Sequence, residues 1–125
     1  IFLLIGVNDI SHDLSTDSIV NMIEKNVTRI QRESPETKLY LQSLLPIDES
    51  FNRYKKLTNK TYQIPEINDR LKALAKEKKI DFIDLYPLFT EKGTNVLRKE
   101  LTYDGLHLKE EGYKIWVDAI KKKMK

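Results

Sequence analysis

Three short segments of this chain have the pattern of β-strands. Residues 1–5, with the sequence IFLLI, are apolar throughout, as expected for a strand that helices cover on both faces of a parallel sheet. Residues 38–43 place Leu39 and Leu41 on one face, and residues 80–85 form the third segment. We therefore predict one strand at each of these positions.

Outside these segments, apolar residues recur every three or four positions, which is the period of an amphipathic helix. The first helix is predicted to begin after a capping residue within 15–17 and to end at Ser34–Pro35. The second is predicted to begin near Pro65, because proline suits the first turn of a helix. The residues predicted to face the core are Ile19, Ile23, Val27 and Ile30 in the first helix, Ile67, Leu71, Leu74 and Ala75 in the second, and Tyr113, Trp116, Ala119 and Ile120 in a third over 109–123.

Strands and helices thus alternate along the chain, and this order predicts the fold. Such alternation requires right-handed crossovers, which place helices on both faces of a parallel sheet. The predicted class is α/β, a flavodoxin-like three-layer α/β/α arrangement around a parallel sheet. Because 125 residues suit one core, we predict a single domain over 1–125. A buried strand at residue 1 has no preceding residues that bring the chain into the core. We therefore expect the first strands of the sheet to be absent from this chain.

Composition narrows the classes of function. The chain is 33% charged, but its net charge is only +3, because lysines and acids are interleaved. The lysine-rich run 121–125 is interpreted as a solvated helix end, and no nucleic-acid partner is predicted, because no aromatic residues interleave with a basic stripe. The absence of cysteine excludes disulfides, cysteine-ligated zinc and a cysteine nucleophile. No apolar run has the length of a membrane span, and cytoplasmic and secreted locations both stay open.

Two polar clusters are predicted to lie at the same edge of the sheet. Gly6, Asn8 and Asp9 follow the first strand, while Asp104 and His107 lie in the connection after the third. A carboxylate that accepts the Nδ1 proton of a histidine fixes its tautomer and prepares it as a general base. An asparagine amide can donate hydrogen bonds to a developing oxyanion. Each cluster also has an ordinary explanation, a helix cap beside a surface histidine for one and a turn for the other.

Taken together, the clusters resemble the SGNH hydrolases, also called the GDSL esterase/lipase family. The sequence GVND at 6–9 is similar to the family's Gly-x-Asn-Asp block, which follows a central strand. The sequence DGLHLKEEGYKIW at 104–116 is similar to the block before the C-terminal helix, and DLYPLF at 84–89 is similar to the stretch preceding it. The resemblance covers the whole chain.

The resemblance implies a function for each cluster. Asn8 and Gly6 would belong to the oxyanion and substrate-binding site, and Asp9 would support them. His107 and Asp104 would be the base and acid of a Ser-His-Asp triad. The implied reaction is acyl transfer through a serine ester, without a metal or organic cofactor. The implied substrate is a small carboxylic ester, such as an acetylated sugar or a short-chain lipid ester.

The family's nucleophilic Ser, in a Gly-Asp-Ser block, and its second oxyanion donor have no counterpart here. We therefore expect the chain to be the C-terminal portion of such an enzyme and to be inactive by itself. Ser11 and Ser43 are weak substitutes, because neither lies on a strand-to-helix elbow. We also expect self-association through the edge of the first strand, or binding of the missing N-terminal part.

Several alternatives stay open. The chain could be a catalytically inactive, flavodoxin-like binding or interaction module in which the Asp–His pair is incidental. A metal site of Asp9, Asp104 and His107 has no supporting ligand spacing, and His12 is interpreted as a solvated loop residue. Four aromatic residues could line the acyl or alcohol pocket or anchor loops instead: Phe51, Tyr54, Tyr62 and Tyr103.

Overall fold

The structure, a computed structural model, describes residues 2–4, 9–10, 12–51 and 53–124. Among these residues, three parallel strands form one sheet in the order β1-β2-β3. The strands are β1 (Phe2–Leu3), β2 (Tyr40–Gln42) and β3 (Asp81–Ile83). The helices are α1 (Thr16–Glu33), α2 (Gln63–Lys78), α3 (Tyr86–Phe89) and α4 (Glu110–Met124). Each strand lies within a predicted strand segment but is shorter than it, and residues 1 and 5 of the first segment lie outside the described residues.

Helices cover the sheet on both faces. Leu39 and Leu41 belong to one buried cluster, together with the apolar stripes of α1 and α2. Tyr40, which alternates with them, belongs to a second buried cluster against which residues of α4 pack. The chain is therefore α/β with a small parallel sheet between helical layers, as predicted. No helix in the described part of the chain is both long and apolar enough to span a bilayer.

The helix α1 forms for the local reasons that the sequence indicates. The hydroxyl oxygen of Ser15 accepts the N–H of Ser18 at 3.1 Å and caps the first turn. At the other end, the backbone N–H of Ser34 donates to the carbonyl of Ile30 at 2.8 Å. The predicted stripes of α1 and α2 are buried, except that Ile30 is partly buried.

The helix α2 is tied to the end of β2 by Asn68. Its buried amide accepts the N–H of Leu44 at 2.7 Å and donates to the carbonyl of the same residue at 3.1 Å. These bonds satisfy backbone groups where the chain leaves the sheet, and an unpaired group there would be costly. The connection from 43 to 62 therefore starts from a fixed point at the carboxyl edge of β2. It contains two short 3₁₀ turns, Glu49–Phe51 and Lys55–Leu57.

Tyr113 was predicted to face the core, but its exposure is 51%. The inward face of α4 starts instead from Gly112, which is buried, and continues through Ile115 and Ala119. A Cβ atom on Gly112 would lie 3.2 Å from the side chain of Leu108, so the helix packs closely there. Glycine has no apolar side chain, so the sequence pattern does not show that Gly112 belongs to the buried face of α4. The face through Tyr113 has an equally regular spacing of apolar residues.

Candidate active site

Asp104 and His107 lie on a closed loop between a 3₁₀ turn, Lys99–Leu101, and the start of α4. Thr102 and Leu108 form an antiparallel bridge that closes the loop. Leu106 packs against the first buried cluster and Leu108 belongs to the second. The two leucines anchor the loop on either side of His107, whose side chain is 65% exposed.

Hydrogen bonds within the loop fix its shape. The hydroxyl of Thr102, a buried residue, donates to the carbonyl of His107 at 2.6 Å and accepts the N–H of Gly105 at 3.0 Å. The Oδ1 atom of Asp104 accepts the backbone N–H groups of Leu106 at 3.0 Å and of His107 at 2.8 Å. One carboxylate oxygen is therefore occupied by the backbone, which leaves Oδ2 to bind side chains.

Gly105 brings this loop against the connection that leaves β2. Its φ is +91°, and a Cβ atom at this position would lie 2.3 Å from the carbonyl oxygen of Asp48. The carbonyl of Gly105 accepts the N–H of Asp48 at 2.9 Å. Since that connection starts at the carboxyl end of β2, the loop lies at the carboxyl edge of the sheet. Parallel α/β sheets bind their ligands at this edge.

The predicted hydrogen bond between Asp104 and His107 is present. The Nδ1 atom of the imidazole lies 2.8 Å from Oδ2 of the carboxylate. The side chain of Asp104 is only 16% exposed, so the carboxylate is held inside the loop while the imidazole extends from it. Tyr54 completes the group, because its hydroxyl donates to the same Oδ2 at 2.7 Å and lies 2.9 Å from Nδ1.

The charge state of the pair follows from these contacts. Burial disfavours the ionised carboxyl of Asp104, but the hydrogen bonds from Tyr54, His107 and the backbone outweigh it and hold its pKa well below the usual range. The pKa of Tyr54 is raised, because its hydroxyl donates to that carboxylate and burial acts in the same direction. At neutral pH, Asp104 is therefore a charged acceptor and Tyr54 is a neutral donor.

The other predicted site residues have different outcomes. Gly6 and Asn8 lie outside the described residues. Asp9 forms a turn in which its carbonyl accepts the N–H groups of His12 and Leu14, both at 3.2 Å. Among the described residues, the side chain of Asp9 has no hydrogen bond to the Asp–His loop, and His12 is exposed.

Ser43 has a structural position. It is 0% exposed, and its hydroxyl oxygen accepts the N–H groups of Leu85 at 2.8 Å and Tyr86 at 3.0 Å. These bonds join the end of β2 to the end of β3, and they agree with the prediction that Ser43 is a poor nucleophile. Ser11 lies outside the described residues.

The aromatic residues of the predicted pocket separate into three positions. Phe51 lies beneath the loop, 3.2 Å from the place of a Cβ on Gly105. Tyr62 and Tyr103 are 63% and 70% exposed. Tyr54 alone of the four donates a hydrogen bond to the Asp–His pair among the described residues.

The contacts of Thr102 and Tyr54 were not foreseen from the sequence. Threonine two residues before an Asp-Gly pair is a local signal for a hydrogen-bonded turn, so the position of Thr102 was recognisable. Tyr54 is separated from Asp104 by 50 residues, and no local pattern indicates that contact. In the described part of the chain, no group of three or more His, Cys, Asp or Glu side chains is arranged to bind a metal ion.

Comparison with known proteins gives the family. The profile of the GDSL-like lipase/acylhydrolase family matches residues 1–115. The chain belongs to this family. No curated protein matches it by sequence. The expectation from the motifs at both ends of the chain is therefore confirmed at the level of the family.

Solved structures have the same fold as this GDSL-like chain. A candidate acylhydrolase from Bacteroides fragilis has a TM-score of 0.84 at 26% identity, with 98% of this chain and 59% of that protein covered. A GDSL-like lipase from Bacteroides thetaiotaomicron has a TM-score of 0.84 at 26% identity, with 98% and 60% covered. The acetyl xylan esterase AlAXEase shares the fold, with a TM-score of 0.76 at 22% identity and with 98% and 65% covered. The chain therefore spans about three-fifths of the first two proteins.

Proposed function

We propose that this GDSL-like chain carries the acid and base of a serine-ester hydrolase. The observation that supports this most directly is the 2.8 Å contact between Nδ1 of His107 and Oδ2 of Asp104. A charged carboxylate at Nδ1 leaves Nε2 as the basic nitrogen, and the exposed imidazole can reach a partner outside the loop. This is the arrangement that a triad requires of its acid and base.

The proposed reaction begins with a serine outside this chain. The serine oxygen attacks the carbonyl carbon of the ester while its proton moves to Nε2 of His107, and Asp104 stabilises the resulting imidazolium. Asn8, with Gly6 beside it and Asp9 in support, holds the tetrahedral oxyanion. When the intermediate collapses, the alcohol leaves with the proton from His107. Water then attacks the acyl-enzyme while its proton moves to Nε2 of His107. The serine oxygen leaves with that proton, and the carboxylic acid is released.

A nucleophile outside the chain is supported by two observations. Ser43 is fully buried and its hydroxyl is engaged by two backbone N–H groups, so it is not available to a substrate. The similar structures are longer, since the chain covers 59% and 60% of the first two. We propose that residues 1–125 are the C-terminal part of one hydrolase domain and that the whole protein includes the serine and a second oxyanion donor.

The proposed substrate is a small ester, either an acetylated sugar or a short-chain lipid ester. The acetyl xylan esterase among the similar structures is compatible with the first of these. The reaction as written needs no metal and no organic cofactor, because proton transfer and oxyanion stabilisation are both supplied by side chains. Nucleic acid is not a proposed partner.

The test is hydrolysis of p-nitrophenyl acetate by the whole protein. His107→Ala is expected to lower kcat by at least about 10³-fold, because it removes the general base. Asn8→Ala is expected to lower kcat by roughly 10²–10³-fold, the loss for one oxyanion donor. His12→Ala is the matched control and is expected to keep wild-type kcat, since this histidine is exposed outside the Asp–His loop. Wild-type turnover in His107→Ala would refute the mechanism, and a whole protein without any hydrolysis would favour the binding module instead.

A further inference from the structure

We propose that Tyr54 is a positioning residue for the Asp104–His107 pair: it holds the carboxylate of Asp104 in the place where that carboxylate selects the tautomer of the imidazole. The hydroxyl of Tyr54, Oδ2 of Asp104 and Nδ1 of His107 form a triangle with sides of 2.7, 2.8 and 2.9 Å. The effect of this triangle on catalysis rests on the proposed function. Its effect on the tautomer of the His107 imidazole does not depend on that function.

Counting protons in the triangle identifies the tautomer. Asp104 is ionised, so the three atoms can share only the hydroxyl proton of Tyr54 and a proton on Nδ1 of His107. The tyrosine proton points to Oδ2. The 2.8 Å contact between Oδ2 and Nδ1 then requires a second proton, which Nδ1 must carry, because two bare acceptors at that distance repel each other. Nε2 is therefore left as the unprotonated nitrogen.

Tyr54 reaches the pair from a well-anchored segment. Its ring packs against the first buried cluster, and its neighbour in the connection, Leu57, is buried. Farther along, the carboxylate of Glu49 accepts the backbone N–H of Asn59 and, at 2.8 Å, the hydroxyl of Thr61. The phenol is thus held by packing and by bonds inside the connection, none of which involves His107.

Such an anchor matters because the imidazole itself has little support. Its side chain is 65% exposed, so packing alone does not select one orientation of the ring. The tyrosine ring lies against it at a centroid distance of 5.8 Å and an angle of 59°. With Oδ1 of Asp104 held by backbone N–H groups and Oδ2 held by Tyr54, the carboxylate cannot rotate away from Nδ1. Tyr54 thereby orients His107 without contacting the reacting atoms.

The test is the tautomer of His107, measured by nitrogen-15 NMR of the imidazoles. Residues 1–125 contain two histidines, and exposed His12 provides an internal reference. In the wild type, His107 is expected to carry its proton on Nδ1, with slow exchange. In Tyr54→Phe, the Nδ1 proton is expected to exchange at least about tenfold faster, and the Nε2–H tautomer is expected to gain population, because a hydrogen bond to a charged group has been removed. Phenylalanine keeps the ring packing.

Tyr62→Phe is the matched control. Tyr62 lies in the same connection, is 63% exposed, and has no side-chain hydrogen bond among the described residues. The Tyr62→Phe variant is expected to leave the tautomer and the Nδ1 proton exchange rate of His107 unchanged. An unchanged tautomer and exchange rate in Tyr54→Phe, or an equal change in both variants, would overturn the positioning role.

Kinetics of the whole protein separate this proposal from the proposed function. Tyr54→Phe is expected to lower kcat for p-nitrophenyl acetate between about tenfold and about 100-fold with little change in KM, because a misaligned base slows the chemical step. Hydrolysis by the wild type together with an unaltered NMR signal in Tyr54→Phe would remove the positioning role and leave the esterase. The expected NMR change in a protein without hydrolysis would remove the esterase and leave the positioning role.

Discussion

Gly105 carries a backbone conformation on which the whole Asp–His loop depends. Its positive φ lets the loop turn back, and its missing side chain lets the carbonyl of Asp48 approach. Thr102 and Oδ1 of Asp104 then accept the backbone N–H groups of Gly105, Leu106 and His107. The Asp104 carboxylate therefore has two roles, because it would orient His107 and it also holds the loop in shape.

Gly105→Ala is expected to destabilise the protein by at least about 3 kcal/mol, because it adds a clash with the backbone to the strain of a positive φ. Gly93→Ala is the matched control, since Gly93 has a φ of +75° and nothing within 4 Å of its added Cβ. The control is expected to lose only about 1–2 kcal/mol. Urea unfolding of both variants measures the difference, and equal losses would show that the close approach at Gly105 is unimportant.

The lowered pKa of Asp104 makes stability depend on pH. A carboxyl whose pKa is lower in the folded than in the unfolded state stabilises the fold above its unfolded pKa, about 3.9, and loses that contribution as the pH falls through the folded pKa. Asp104→Asn should therefore be less stable than wild type at pH 7, and the difference should shrink as the pH falls below about 4. Urea unfolding at several pH values tests this, with Asp118→Asn as a control for the loss of one negative charge. A difference that is constant from pH 7 to pH 3 would contradict the assignment.

At the scale of elements, the end of β2 is the point from which the site is built. Ser43 binds the backbone after β3, and Asn68 of α2 binds the backbone of Leu44. The connection that follows carries Asp48 to Gly105 and Tyr54 to Asp104. Two strands, one helix and the Asp–His loop are thus joined by buried and partly buried hydrogen bonds at one edge of the sheet.

Ser43→Ala tests whether this serine supports the fold rather than reacts. The variant is expected to lose about 2–4 kcal/mol of stability, because the buried N–H of Leu85 and the partly buried N–H of Tyr86 lose their acceptor. Under conditions where it stays folded, ester hydrolysis by the whole protein is expected to be unchanged. Thr28→Ala, which removes an exposed hydroxyl from α1, should change stability by less than about 0.5 kcal/mol. Loss of hydrolysis in a stably folded Ser43→Ala protein would make Ser43 a nucleophile candidate again.

At the scale of the whole molecule, β1 is an edge strand that carries an exposed aromatic side chain. It pairs with β2 on one side, and no described strand pairs with its other side. Phe2 is 39% exposed, although its ring stacks on Tyr40 at a centroid distance of 4.8 Å. An apolar edge with unpaired backbone groups is a template for association.

The 125-residue chain alone is therefore expected to self-associate and to show no esterase activity. Phe2→Lys should reduce the association, since lysine on an edge strand opposes pairing. Met22→Lys, at a position on α1 with a similar exposure of 38%, should not. Light scattering across a concentration series, with a parallel ester assay, measures both properties. A monomer at every concentration, or turnover by this chain alone, would contradict the expectation.

Sequence by itself determined the features that depend on neighbours within about four residues. Ser15 caps α1, the stripe of Ile19, Ile23 and Val27 is buried, and Asp104 bonds His107 three positions away. Capping, helical period and short turns act over such distances, so the local pattern carries the information. The order of elements then predicted the parallel α/β sheet.

Only the tertiary structure decided which distant segments meet. It joined Tyr54 to Asp104 and His107, engaged Ser43 with the backbone after β3, and turned α4 so that Tyr113 is exposed. These outcomes depend on how crossovers and helix faces pack across tens of residues, where many pairings satisfy the same local pattern. The Asp–His pair is local and was visible in the sequence, whereas the tyrosine that holds it is not local and became visible only in the fold.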